Sequence, residues 1–142
     1  MNIDSIQNGV VLDHIQAGKC MDVYNYLRLG DLDCQVAIIM NARSARMGKK
    51  DIIKIDSPMD LDLDVLGYID ANITVNVIRD GRHVEKKHLE LPQKLVNIVR
   101  CRNPRCITMT EEQLDSIFLL SDASRHAYRC AYCDTPMDKK KF

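Results

Sequence analysis

Four cysteines in the last third of the chain have the residue type and spacing to do chemistry. They read Cys101-x4-Cys106, then 23 residues, then Cys130-x2-Cys133. An ion held tetrahedrally needs four ligands converging from two tight turns, and each short Cys-x-x-Cys-like loop supplies two. The first loop, with four intervening residues, is wider than the second, with two. All-thiolate ligation without histidine suits a structural Zn2+, and four protein ligands leave no open position for catalysis. Four buried free thiols, or a redox pair at Cys130 and Cys133, would use the same residues; the paired spacing favours one zinc per chain. Arg102, Arg105 and Arg129 adjoin the ligands in sequence and can offset the formal negative charge of four thiolates around one Zn2+.

A second group is more dispersed. Lys50 and Lys54 fall on one face of a β-strand, since side chains repeat every two residues. Lys86 lies on a later strand, Asn76 on the one before it, and Asp13 and His14 at the end of the first. Such lysines can hold a triphosphate, the aspartate can take ribose hydroxyls, and His14 can add a donor. The same lysines, with Lys87, can equally solvate an exposed face, and their spacing by itself favours that plainer reading. Asp13 and His14 are adjacent, so they share a ligand only if the strand ends or twists there. His83, His88 and His126 read as surface or packing residues, and Cys20 and Cys34 as small core hydrophobes.

The elements that must position these groups are legible. Val10–Ile15 is β-branched and apolar, hence a strand. After Gly18, Met21, Tyr24 and Leu27 recur at helical spacing. Gln35–Met40 and Asp51–Ile55 read as strands joined by the polar stretch Asn41–Gly48. Pro58 followed by residues 60–69 fits a short helix with acids near its start. Ile73–Val77 alternates as a strand, and Asp80-Gly81 signals a hairpin returning through His83–Leu89. The order β-α-β-β-α-β is that of a ferredoxin-like α+β sandwich, here with an extra hairpin strand. Residues 89–93 read as a linker between domains 1–92 and 93–142. The second has little apolar material and needs a staple, expected to be zinc in a small β-rich, zinc-ribbon or rubredoxin-like domain.

Composition narrows the classes. Twenty basic and twenty acidic residues cancel, and aromatics are only 5%. A zinc-ribbon nucleic-acid-binding protein, the main alternative, would favour net positive charge and stacking aromatics. A small enzyme would need a nucleophile or an acid–base pair in a cleft, and none stands out. There is no apolar run of membrane-spanning length. Met1–Asp4 has no signal-peptide character, and Lys139–Lys141 reads as a solvated tail, so the expected location is the cytoplasm, where cysteines favour metal over disulfides.

Several segments together resemble the regulatory chain of aspartate carbamoyltransferase: Val11-Leu12-Asp13-His14-Ile15, Met47 to Ile55 (Met-Gly-Lys-Lys-Asp-Ile-Ile-Lys-Ile), Ala71 to Asn76 and the four-cysteine spacing. The resemblance runs in order over essentially the whole chain. It implies a non-catalytic subunit of pyrimidine biosynthesis, with an N-terminal allosteric domain for CTP and ATP and a C-terminal zinc domain contacting a catalytic chain. It also implies a regulatory-chain homodimer within a larger hetero-oligomer. Carried over by residue, Asp13 and Lys54 contact ribose, with Lys54 near the base, and His14 and Lys86 hold phosphates. Asn76 lines the pocket, and backbone groups at Ile6 and Gly81 read the base. Against the family pattern, Asp4 stands for a longer glutamate, Gly81 for a bulkier hairpin residue and His83 for an apolar one.

Overall fold

The computed structural model describes residues 6–111 and 113–137. The readings above that concern Met1–Asp4 and Lys139–Lys141 lie outside the described residues. The chain forms two compact units, Met1–Glu90 and Leu91–Phe142.

The first unit runs β1 (Gly9–Gln16), α1 (Cys20–Leu27), β2 (Val36–Ser44), β3 (Gly48–Ile55), α2 (Leu63–Ile69), β4 (Thr74–Arg79) and β5 (Arg82–His88). Its strands lie in the order β2-β3-β1-β4-β5, every neighbouring pair antiparallel. Without β5 this is the expected ferredoxin-like sheet, and β5 is the extra hairpin strand at its edge. Asp80 (φ 52°) and Gly81 (φ 77°) form the two-residue turn that joins β4 to β5. Two consecutive left-handed residues match the twist of the flanking strands.

Alternation sorts the sheet into two faces. Val10, Leu12, Ile15, Ile53, Ile55, Ile73 and Val75 are buried, and so are Cys20 and Val23 of α1 and Val65, Leu66 and Ile69 of α2. These form the apolar layer between sheet and helices. Gly9 is required by close approach: a Cβ there would run into the Ile55 carbonyl oxygen and press on Ile6.

Three elements differ from the sequence reading. The helix after Gly18 forms as expected, but its buried residues are Cys20 and Val23, while Met21 is exposed. Short helices offer two competing apolar stripes, and docking on the sheet selects one. The β2–β3 hairpin is longer than predicted, because Ala42–Ser44 pair with Gly48–Lys50 beyond a register shift and continue the ladder to a tight turn. Polar residues can extend a hairpin where its end projects into water. The second helix begins at Leu63, where Asp62 accepts hydrogen bonds from the Asp64 and Val65 N–H groups (3.1 and 3.3 Å) and so caps it.

The second unit has a three-stranded antiparallel sheet in the order β6 (Lys94–Val96), β7 (Ile117–Asp122), β8 (Ala127–Cys130), with one helical turn, α3 (Ile107–Thr110). Its core is small, as expected: Leu95, Phe118 and Tyr128 are buried beside Cys101, Cys106 and Cys130. The Tyr128 hydroxyl donates to the Pro92 carbonyl at 2.7 Å, which gives a buried polar atom its partner. Among the described residues no helix is long and apolar enough to cross a membrane.

Candidate metal centre and ligand-binding face

The four predicted cysteines converge. The sulfurs of Cys101, Cys106, Cys130 and Cys133 all lie within 4.8 Å of one another. Cys101 and Cys133 are 3.5 Å apart, Cys106 and Cys130 3.7 Å. A tetrahedron with zinc–sulfur arms of about 2.3 Å has edges of about 3.8 Å, so the cluster has the size of a Zn(Cys)4 site. These separations are far too long for a disulfide, and all four thiols are free.

The surrounding donors suit thiolates. The Asn103 N–H points to the Cys101 sulfur, those of Tyr132 and Cys133 to Cys130, and that of Thr135 to Cys133. The hydroxyls of Thr108 and Thr135 lie 3.1 Å from the sulfurs of Cys106 and Cys133. Burial pushes the Cys101 thiol up to about 12 and raises that of Cys130 as well. Hydrogen bonding by Thr135 brings the Cys133 thiol down to about 6. Buried thiols whose thiolate form is this costly need a cation to deprotonate them, and a divalent metal supplies one. Two of the expected arginines brace the second knuckle: Arg102 donates to the Pro136 carbonyl (3.1 Å) and Arg129 to the Asp134 carbonyl (3.0 Å). At Arg105 it is the backbone N–H that engages, donating to the Asn103 side chain. The chain therefore carries a structural metal site.

The dispersed group is brought together by the sheet's register. Val11 of β1 pairs with Lys54 on one side and Asn76 on the other, and Asn76 pairs in turn with Lys86. Lys54, Val11, Asn76 and Lys86 thus form one row across four strands, on the face opposite the helices. Lys54 and Lys86 make no ion pair among the described residues, whereas Lys50 pairs with Asp13 at 3.0 Å. The row leaves two cations without a counter-charge among the described residues on one side of the sheet.

Asp13 and His14 share this face because β1 is interrupted. The register shifts between Leu12 and Ile15, both fully buried, and His14 has φ 58°. A bulge of this kind puts two successive side chains between inward-pointing neighbours. The His14 imidazole Nδ1 lies 3.0 Å from the Thr74 hydroxyl, and Thr74 is the cross-strand partner of Asp13. Partial burial would raise the Asp13 carboxyl, but the Lys50 ammonium and the His14 N–H (2.6 Å) outweigh it and hold it below the ordinary range.

At the sheet's other end, the Gly81 N–H donates to the Gln7 carbonyl at 2.9 Å. Ile6 is buried above Gly9. Two participants escaped sequence reading. Thr74 matters through its hydroxyl beside His14 and its register with Asp13. Asp51, between the two lysines, faces inward and is fully buried. Its oxygens accept from the Gly18 and Asn41 N–H groups, both at 3.0 Å. A carboxylate amid apolar neighbours in a strand pattern could have flagged it.

Comparison with known proteins matches this arrangement. Residues 1–90 match the model of the aspartate carbamoyltransferase regulatory chain, allosteric domain, and residues 93–142 that of the same chain's metal binding domain. Aspartate carbamoyltransferase regulatory chains of Clostridium botulinum and Bifidobacterium longum are 49% and 46% identical over 134 residues; these alignments span 94% of this chain and 92% and 96% of theirs. That of Clostridium tetani is 47% identical over 135 residues, 94% of each chain. With a four-cysteine site in its second unit and a cationic sheet face in its first, the chain belongs to the family of aspartate carbamoyltransferase regulatory chains, non-catalytic subunits that work with a catalytic chain.

Proposed function

We propose that the chain senses nucleoside triphosphates on the outer face of its first sheet and transmits their binding to the catalytic chain of an aspartate carbamoyltransferase. The observation that carries this reading is the row Lys54–Val11–Asn76–Lys86, which sets two cations, with no ion pair among the described residues, beside a polar amide. Asp13 and His14 adjoin it through the bulge. Phosphates would go to Lys86 and His14, and ribose to Asp13 and Lys54. Asn76 would line the pocket, and the base would reach backbone groups at Ile6 and Gly81. Charge-assisted hydrogen bonds of this kind are the strong ones, and a sheet face holds its donors rigidly.

In this proposal residues 1–92 are the allosteric domain, and residues 93–142 hold one Zn2+ through Cys101, Cys106, Cys130 and Cys133. Regulatory chains pair as homodimers in the cytoplasm, within the holoenzyme of pyrimidine biosynthesis. A nucleotide shifts the holoenzyme only through its different affinities for two quaternary states, so CTP and ATP sharing one pocket act oppositely only if each prefers a different state. The zinc domain holds the docking loops around Asn103, Arg105 and Asp134 in fixed conformations.

The test is reconstitution of the full chain with its catalytic chain, followed by titration of the aspartate saturation curve with CTP and with ATP. A shift of the half-saturating aspartate concentration by either nucleotide is expected. Curves unmoved by both, with assembly intact, would refute the sensing role.

A further inference from the structure

Asp13 is the one carboxylate among the described residues on the outer face of β1, and its two oxygens are unequal. Oδ1 accepts the His14 N–H at 2.6 Å and the Lys50 ammonium at 3.0 Å. Oδ2 has no hydrogen-bond partner among the described residues. A carboxylate oxygen offers about two lone-pair sites, so Oδ1 is filled and Oδ2 is open. The His14 N–H belongs to the bulged backbone and cannot leave without remodelling β1. Lys50, by contrast, sits at the end of a flexible side chain on a neighbouring strand.

A ribose presents two adjacent hydroxyls, and a carboxylate takes such a pair best with one hydrogen bond to each oxygen. The first can go to Oδ2 at no cost in existing bonds. The second needs Oδ1 and must displace Lys50. A 2′-deoxyribose has one hydroxyl at this edge and needs only the open oxygen.

We propose that Lys50 is a specificity-determining residue of the nucleotide site, an internal competitor for Asp13 that weakens the site's preference for ribose over deoxyribose. This rests on the nucleotide reading of the sheet face. Lys50 is suited to the role because its side chain is only 17% exposed and its ammonium is held 3.0 Å from Asp13. Losing it frees Oδ1 for the second hydroxyl and removes one cation from the neighbourhood of the phosphates.

The test compares CTP with 2′-deoxy-CTP by calorimetry on the full chain, for the native protein and for Lys50→Met, Lys50→Arg and Asp13→Asn. The ratio of the two affinities cancels the common contribution of the phosphates. In the native chain CTP should be favoured by no more than about threefold, and in Lys50→Met by about tenfold or more, the worth of one hydrogen bond to a charged group. Both nucleotides should bind Lys50→Met more weakly in absolute terms. Lys50→Arg keeps the ion pair and should keep the native ratio, and Asp13→Asn should bring the ratio close to one. An unchanged ratio in Lys50→Met, with CTP binding still measurable, overturns the competitor role and leaves the nucleotide site standing. Failure of the native chain to bind either nucleotide overturns the nucleotide reading, and this proposal with it.

Discussion

Lys54 and Lys86 stand in the same cross-strand row, on strands separated by β1 and β4, with Val11 and Asn76 between them. Neighbouring strands lie about 4.8 Å apart, so the two Cα positions are roughly 14 Å apart. Two extended lysine side chains leaning inward can therefore reach opposite ends of one nucleotide. Neither is needed by the fold. Lys54→Ala and Lys86→Ala should each weaken CTP binding by about 1.5–3 kcal/mol, the range for hydrogen bonds to charged groups, with the thermal transition almost unmoved. Calorimetric affinities matching the native value in both variants would return the lysines to a solvating role.

Metal removal should act on one unit only. Metal analysis of the native chain is expected to return one zinc equivalent, released by a mercurial that titrates Cys101, Cys106, Cys130 and Cys133. Zinc binding to such sites is worth on the order of 10–16 kcal/mol, far more than the thin core around Leu95, Phe118 and Tyr128 can supply. The stripped chain should lose the order of its second sheet and its hold on the catalytic chain, yet still bind CTP. Restored assembly on adding Zn2+ completes the check; normal assembly of the stripped chain would place the docking surface elsewhere.

Asp51 links the start of α1 to β2 and β3. It accepts from Gly18 and Asn41, and the Cys20 thiol also donates to it. Asp51→Ala leaves those N–H groups unpaired, at about 1–3 kcal/mol for each group, so a loss of about 2–4 kcal/mol in urea unfolding is expected.

The same residue sets a pH dependence. Burial alone would raise its carboxyl, but the Asn41 N–H, the Cys20 thiol and the Gly18 N–H together hold it below the ordinary range. A group with a depressed folded-state value stabilises fully above its unfolded value, near 3.9, and the contribution fades as pH falls through the folded one. The stability difference between the native chain and Asp51→Asn should therefore be constant near neutrality and shrink in acid. Amide exchange at Gly18 and Asn41 reports this for the first unit alone, apart from acid loss of zinc. A difference that grows in acid would refute the assignment.

Gly81 has φ 77°, and a Cβ there would meet the Gln7 side chain at 3.0 Å. Gly81→Ala should cost about 1 kcal/mol, through left-handed strain in the two-residue turn. Denaturant midpoints would measure it. Weakened CTP binding in the same variant would tie the hairpin to the base end of the pocket.

What could be read from the sequence was local. The cysteine pairs announce two turns because a tetrahedral ion demands ligands a few residues apart. Asp80-Gly81 announces a hairpin because only such residues take left-handed φ cheaply, and alternation at Ile73–Val77 reveals a half-buried strand. The β-α-β-β-α-β order follows from these signals, and the full set of segments was specific enough to bring the family into view. Tertiary structure alone decided which residues meet. Whether Lys54 shares a row with Lys86 depends on the register of three strand pairs, which is set by burying Leu12, Ile53 and Val75 on the inner face. No local feature records that register. The bulge that turns Asp13 and His14 to one side exists because Leu12 and Ile15 both enter the core, three residues apart where a regular strand would separate such positions by two. Asp51 looks like another surface charge until the fold closes three backbone segments around it. Spacing along the chain constrains what a turn can hold; the packing of the apolar layer determines which polar side chains end up side by side on the other face.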